Sequence, residues 1–216
     1  MQDDESLVDA EQLNFTYSIP DANEVQAIIK EMKINATPGP DGLNAAFYKS
    51  TWSWIQDDVL KVVTEFYSCK SLHKDINQTY ITFIPKKAQP TIPQDFRPIS
   101  LSNVIYKIIS KSLANRLKPH LPTCIHQGQS YFVSGHNISS NIIITQEIIH
   151  SFRLKSWNSQ AFILKIDLAK AFDRLEWNFI CDALKRKNFS DDFISLIHAC
   201  IRSLHFLVLV NDEPTE

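Results

Sequence analysis

Apolar residues recur at helical spacing in several blocks of the chain. After Pro20, Asp21 stands three residues ahead of Glu24, the pattern of a capping box. Val25, Ile28, Ile29 and Met32 follow on one face, so the spacing predicts a helix that ends at the turn Thr37-Pro-Gly-Pro-Asp-Gly42. From Leu43 to about Tyr67 a second stripe appears: Ile55, Val59, Val62, Val63 and Phe66. Tyr80-Ile-Thr-Phe-Ile84 is β-branched and aromatic and predicts a strand stopped by Pro85. A loop containing Pro90, Pro93 and Pro98 leads to Ser102, the expected N-cap of a helix reaching about Lys118, with Val104, Ile105, Ile108, Leu113 and Leu117 inward.

Further helices are expected over roughly 139–154, 174–187 and 191–203, and strands over Ala161–Ile166 and Phe206–Val210. The first 20 residues lack periodicity and read as a loose, acidic tail. The last strand runs into the turn Asn211-Asp212-Glu213-Pro214, so it is expected to lack its hairpin partner. Helices outnumber strands, and the fold class is α/β (α+β).

Composition narrows the function. The 216 residues are 44% hydrophobic and 21% charged, enough for a folded core rather than wholesale disorder. The longest apolar run, Phe206 to Val210, cannot span a bilayer, and the acidic N-terminus is no signal peptide. The expected location is therefore intracellular, without a choice between nucleus and cytoplasm. Four glycines allow neither a dinucleotide fingerprint nor a P-loop. Cys69, Cys124, Cys181 and Cys200 form no CxxC and are expected as reduced thiols, mostly core filler.

The net charge of −2 conceals an asymmetry. Residues 1–29 carry seven acids and no Lys or Arg; residues 85–118 carry Lys86, Lys87, Arg97, Lys107, Lys111, Arg116 and Lys118 against Asp95 alone. Such a patch attracts phosphates, although a solvated helix face has the same composition.

Asp167 closes the predicted strand at 161–166, where a side chain reaches a cleft. It suits a Mg²⁺ ligand; the alternative, which chemistry alone favours, is a loop Asp that caps a backbone N–H. Asp173, ahead of Arg174-Leu-Glu176, reads as a helix cap. An aspartyl-phosphate site would want a second Asp where Ala169 stands, and Gly-x-Ser-x-Gly is absent.

The order of Pro-Gly-Pro-Asp-Gly (38–42), Phe-Ile-Pro-Lys (83–86), Phe-Arg-Pro-Ile-Ser-Leu (96–101) and Asn-Val-Ile-Tyr-Lys-Ile (103–108) resembles the finger region of a LINE-type (non-LTR) retrotransposon reverse transcriptase. Gln129-Ser-Tyr-Phe-Val-Ser-Gly135, Leu-Lys-Ile-Asp-Leu-Ala-Lys-Ala-Phe-Asp (164–173) and Val208-Leu-Val-Asn-Asp-Glu-Pro214 continue it, with a plant-like flavour. The resemblance implies the fingers and partial palm of a right-handed polymerase: a tail over 1–20, fingers over 21–155 and the first part of a palm over 156–216.

It further implies that Asp167, joined by the main-chain carbonyl of Leu168, is the first metal ligand of a two-ion Mg²⁺ site, with Mn²⁺ as an alternative. Phe172 falls where the family sets a bulky side chain against the 2′ position of the incoming nucleotide. Lys86 and Arg97 match residues expected to contact the triphosphate. For Lys107, Lys111, Arg116 and Lys118, template contact and a solvated face stay equally open. The implied partners are an RNA template, a DNA primer and deoxynucleoside triphosphates, with no membrane.

The sequence departs from the family pattern in one decisive respect. The second carboxylate pair, an aromatic-x-Asp-Asp tip, is absent; Asp3-Asp4, Asp57-Asp58 and Asp191-Asp192 read as tail, helix surface and helix start. Ala36-Thr37 replaces the usual basic residue before the first turn, and His136 follows Gly135 where Arg is usual. The expectation is a polymerase fragment inactive without a downstream palm and thumb. The alternatives are a non-catalytic RNA-binding or relic protein, or a non-functional remnant.

Overall fold

A computed structural model describes residues 15–126, 128, 129, 133, 135, 137–154, 162–167, 171, 174–211 and 213–215. Helix α1 (Ala22–Glu31) starts as its sequence dictates: the Asp21 carboxylate accepts from the Glu24 N–H at 2.8 Å. The Glu24 side chain turns away to Arg116, so the expected capping box is only half made. Val25, Ile28 and Ile29 are buried. At the other end the Lys49 ammonium donates to the carbonyls of Lys30 and Met32, satisfying the last turn of the helix.

Helix α2 (Ala45–Cys69) is capped by Asn44 and stops at Lys70, whose φ of 54° is left-handed. Helix α3 (Val104–Leu117) follows the sheet's first two strands, β1 (Gln78–Pro85) and β2 (Phe96–Ser102). Short α4 (Leu121–Cys124), then α5 (Ile138–Leu154), α6 (Trp177–Arg186) and α7 (Asp191–Arg202) precede β3 (His205–Val210) and β4 (Glu213–Pro214). The strand order is β2-β1-β3-β4, with β1 antiparallel to β2 and parallel to β3.

One apolar cluster joins α1, α2, α3 and α7 through residues such as Ile28, Val63, Phe66, Ile108, Phe193 and Leu196. It unites residues from both sides of the expected fingers–palm boundary near 155, and so does the β1–β3 pairing.

The structure corrects several expectations. Strand β2 was expected as a loop because of its proline. Pro98 faces Phe83 in an edge strand, where a missing N–H leaves no ladder bond unmade on the open side. Ser102 consequently ends β2, and Asn103 takes the position before α3. Of the strand expected over 161–166, Ala161 lies outside the described residues and 162–166 form no strand, with Phe162 and Ile166 exposed at 85% and 76%. A strand needs a neighbour, and 162–167 pair with no strand of the sheet, neither the doubly paired β1 and β3 nor the edge strands β2 and β4. Helix α6 begins at Trp177 behind Glu176, not at 174, and Asp173 lies outside the described residues. The final strand is not unpaired, because β4 joins β3 through Leu209–Pro214 and Val210–Glu213. Nor is the stretch 15–20 loose, since Thr16 and Pro20 are buried. Of the cysteines, Cys200 alone is fully buried, Cys124 and Cys181 are half-buried, and Cys69 is exposed.

The turn Pro38-Gly-Pro-Asp-Gly42 is locked to the start of α3. The Asn103 carboxamide accepts from the Asp41 N–H and donates to the carbonyls of Asp75 and Ile76. It thereby ties turn, loop and helix together at a 2% exposed position. A Cβ on Gly39 would sit 2.3 Å from the Asn103 side-chain oxygen and 2.4 Å from its backbone nitrogen, so only glycine fits. Gly42, at φ +71°, has open space around it. We therefore expect Gly39→Ala to destabilise by about 1–3 kcal/mol through overpacking, more than Gly42→Ala, whose cost is backbone strain of roughly 1–2 kcal/mol. Urea midpoints of the two variants check the order; equal midpoints would contradict it.

Candidate nucleic-acid and nucleotide site

The β1–β2 hairpin carries the first two candidate residues. Arg97 lies opposite Ile84 in the ladder and is exposed. The Lys86 ammonium is held at the hairpin end, donating to the Gln94 carbonyl at 2.8 Å, while the Lys86 backbone N–H donates to the Asp95 carbonyl. Asp95 orders the same loop. Lys87 at 2.8 Å, joined by the N–H groups of Thr91 and Ile92, holds its carboxyl below the usual range. The basic patch is thus neutralised at Lys87 and leaves Lys86 and Arg97 exposed, with no ion pair among the described residues. Phe83 and Phe96 meet edge to face at 6.5 Å across the hairpin and stiffen it.

Asp167 ends the exposed segment 162–167 and is itself exposed. Neither its carboxylate nor any intermediate side chain forms a hydrogen bond or ion pair linking it to Lys86 or Arg97 among the described residues. Leu168 and Phe172 lie outside the described residues. Among the described residues no group of three or more His, Cys, Asp or Glu could hold a metal ion. One solvated carboxylate cannot neutralise two divalent ions, so the described residues do not by themselves constitute the expected metal centre. No helix of the described chain is long and apolar enough to cross a membrane.

The helical bases divide into separate roles. Arg116 is neither solvated nor available to a template: it is 4% exposed and clamps the N-terminal segment. Its Nε and Nη2 donate to the two Glu24 carboxylate oxygens at 2.9 and 2.8 Å, a bidentate pair. Nη1 donates to the carbonyls of Thr16 and Ser18, and the guanidinium lies against the rings of Phe15 and Tyr67. Lys111 approaches Glu31 at 3.7 Å, whereas Lys118 is exposed. Lys107 is half-buried and enters none of the ion pairs among the described residues. Sequence reasoning could not separate these four, because composition does not reveal that Arg116 has a carboxylate from α1 waiting across the helix pair.

Sequence comparison places these residues in context. The family described as reverse transcriptase (RNA-dependent DNA polymerase) matches residues 84–215. The Xenopus laevis transposon TX1 uncharacterized 149 kDa protein is 31% identical over 189 residues, which are 88% of this chain and 14% of that protein. The Pol polyprotein of the Drosophila melanogaster type-2 retrotransposable element R2DM is 28% identical over 77% of this chain and 15% of its own length. A probable RNA-directed DNA polymerase from Drosophila melanogaster transposon BS is 24% identical over 88% of this chain and 21% of its own length. The chain thus spans a small part of each of these relatives.

Proposed function

We propose, from the premise that the chain belongs to the reverse transcriptase family and is of the LINE-type (non-LTR) kind, that it forms the fingers and first palm segment of an RNA-directed DNA polymerase. The observation that carries this reading is the paired β1–β2 hairpin, which leaves Lys86 and Arg97 exposed in the motifs Phe-Ile-Pro-Lys and Phe-Arg-Pro-Ile. Their partners in this scheme are the triphosphate of an incoming deoxynucleotide, bound beside an RNA template and DNA primer. Arg97 offers a planar fork to phosphate oxygens and Lys86 a point charge.

The family generally uses divalent metal ions. Asp167, with the Leu168 carbonyl, contributes one part of a Mg²⁺ or Mn²⁺ site; carboxylates from other segments complete it. Phe172 stands against the 2′ position. The exposed apolar side chains Phe162, Ile163, Leu164 and Ile166 form the surface that those other segments cover. Isoleucines of α5, among them Ile142, Ile143 and Ile144, are exposed as well. Fingers over 21–155 and palm from 156 are, in this reading, functional regions built on one shared core. The chain acts inside the cell.

Binding of a template–primer by the chain itself tests this reading. Among the described residues, Lys86, Arg97, Lys107 and Lys118 are the bases of the patch that make no ion pair. Neutralising about three or four phosphates gives a slope of log K against log salt near −3. Fluorescence anisotropy at several salt concentrations measures it. A flat response contradicts the proposal.

A further inference from the structure

Helices α1 and α3 meet along two quite different stretches. At one, Arg116 and Glu24 pair tightly at 2.8 Å. At the other, a crevice of about 590 Å³ opens between the helices, lined by Ile28, Glu31, Met32, Lys107, Ser110 and Lys111. Its floor is apolar: Ile28 is 1% exposed and Met32 half-buried. Two cations stand over that floor, one turn apart on the same face of α3.

Neither cation is well compensated. Burial pushes the Lys107 ammonium below its ordinary pKa, and only Asp41 opposes this. The Asp41 carboxylate already accepts from the Leu43 N–H and makes no ion pair with Lys107. Lys111 has Glu31 at 3.7 Å, with both side chains solvated, a contact of little value. The Ser110 hydroxyl is spent on the Lys107 carbonyl. Two like charges at this spacing repel each other, and a half-buried ammonium without a partner is costly. A phosphate between them offsets both penalties when the solvated Glu31 carboxylate, which lines the same crevice, turns to solvent. An apolar floor beside the anion favours a ligand that carries a hydrophobic plane next to its charge.

We propose that this crevice binds one phosphodiester of a nucleic-acid strand between Lys107 and Lys111, with the adjoining sugar or base over Ile28 and Met32. The assignment of the strand rests on the polymerase reading above; the two-cation crevice stands on its own geometry. The site is separate from the hairpin residues Lys86 and Arg97 and gives the strand a second hold, on the helical side of the fold.

Lysine acetylation read by mass spectrometry, with and without an RNA–DNA template–primer carrying a single-stranded RNA overhang, tests it on the intact chain. Lys107 and Lys111 are expected to lose reactivity several-fold on binding, while Lys61, exposed on α2, keeps its rate. The double variant Lys107→Gln/Lys111→Gln is expected to bind several-fold more weakly with a urea midpoint no lower than the parent's, since it removes the repulsion and the half-buried charge, and Lys61→Gln to bind as the parent does. Salt-dependent binding that leaves Lys107 and Lys111 as reactive as before overturns the crevice and leaves the polymerase reading intact. Equal protection by inorganic tripolyphosphate at matched phosphate overturns the strand assignment, because the apolar floor then contributes nothing. Absence of any salt-dependent binding overturns both.

Discussion

Arg116→Ala is expected to destabilise the chain by about 3–5 kcal/mol, because it strands the half-buried Glu24 carboxylate and removes a buried charge from an assembled network. The clamp reaches in two directions. It binds α1 through Glu24 and holds the segment at Thr16 and Ser18 by their carbonyls, so both lose a partner at once. The rings of Phe15 and Tyr67 lose their cation as well. Arg116→Lys is expected to recover little, since an ammonium cannot reproduce the bidentate fork. Arg116→Met with Glu24→Gln is expected to lose less than Arg116→Ala, because no uncompensated charge then remains buried. Urea denaturation of the three variants measures the order. An Arg116→Ala midpoint equal to that of the parent would show that the clamp contributes nothing to folding.

That result bears on how far the sequence alone could be read. Helices α1, α2 and α3 were legible because Val25, Ile28, Val59, Val63, Val104 and Ile108 repeat at helical spacing, and each is buried. The Asp21 cap was legible because it is a local interaction. Arg116 was not. Its charge placed it in a basic patch, while its role depends on Glu24, 92 positions away. Nothing local distinguishes it from Lys118, which is exposed.

The two strand errors have opposite causes. Pro98 suppressed a strand that the sheet edge tolerates, whereas the apolar run at 161–166 suggested a strand that finds no partner. Propensity describes what a segment can do, and pairing decides what it does. The candidate site was legible as chemistry rather than as geometry. Lys86, Arg97 and Asp167 stood out by motif, and the structure places the first two on one hairpin without joining them to the third. Lys107 became distinctive only once its burial and lack of an ion pair were visible.

On the proposed function, Asp167 is one of the catalytic carboxylates of a polymerase and cannot act alone. Primer extension on an RNA template in the presence of Mg²⁺ tests it most directly. The 216-residue chain alone is expected to give no extension, because a single solvated carboxylate cannot hold two divalent ions against their repulsion. The chain joined to the downstream palm and thumb of a relative is expected to extend the primer. Asp167→Asn in that chimera is expected to abolish extension while leaving the urea midpoint unchanged, since the side chain is exposed and the substitution removes charge but little volume. Full extension by the Asp167→Asn chimera, or extension by the 216-residue chain alone, would contradict the account.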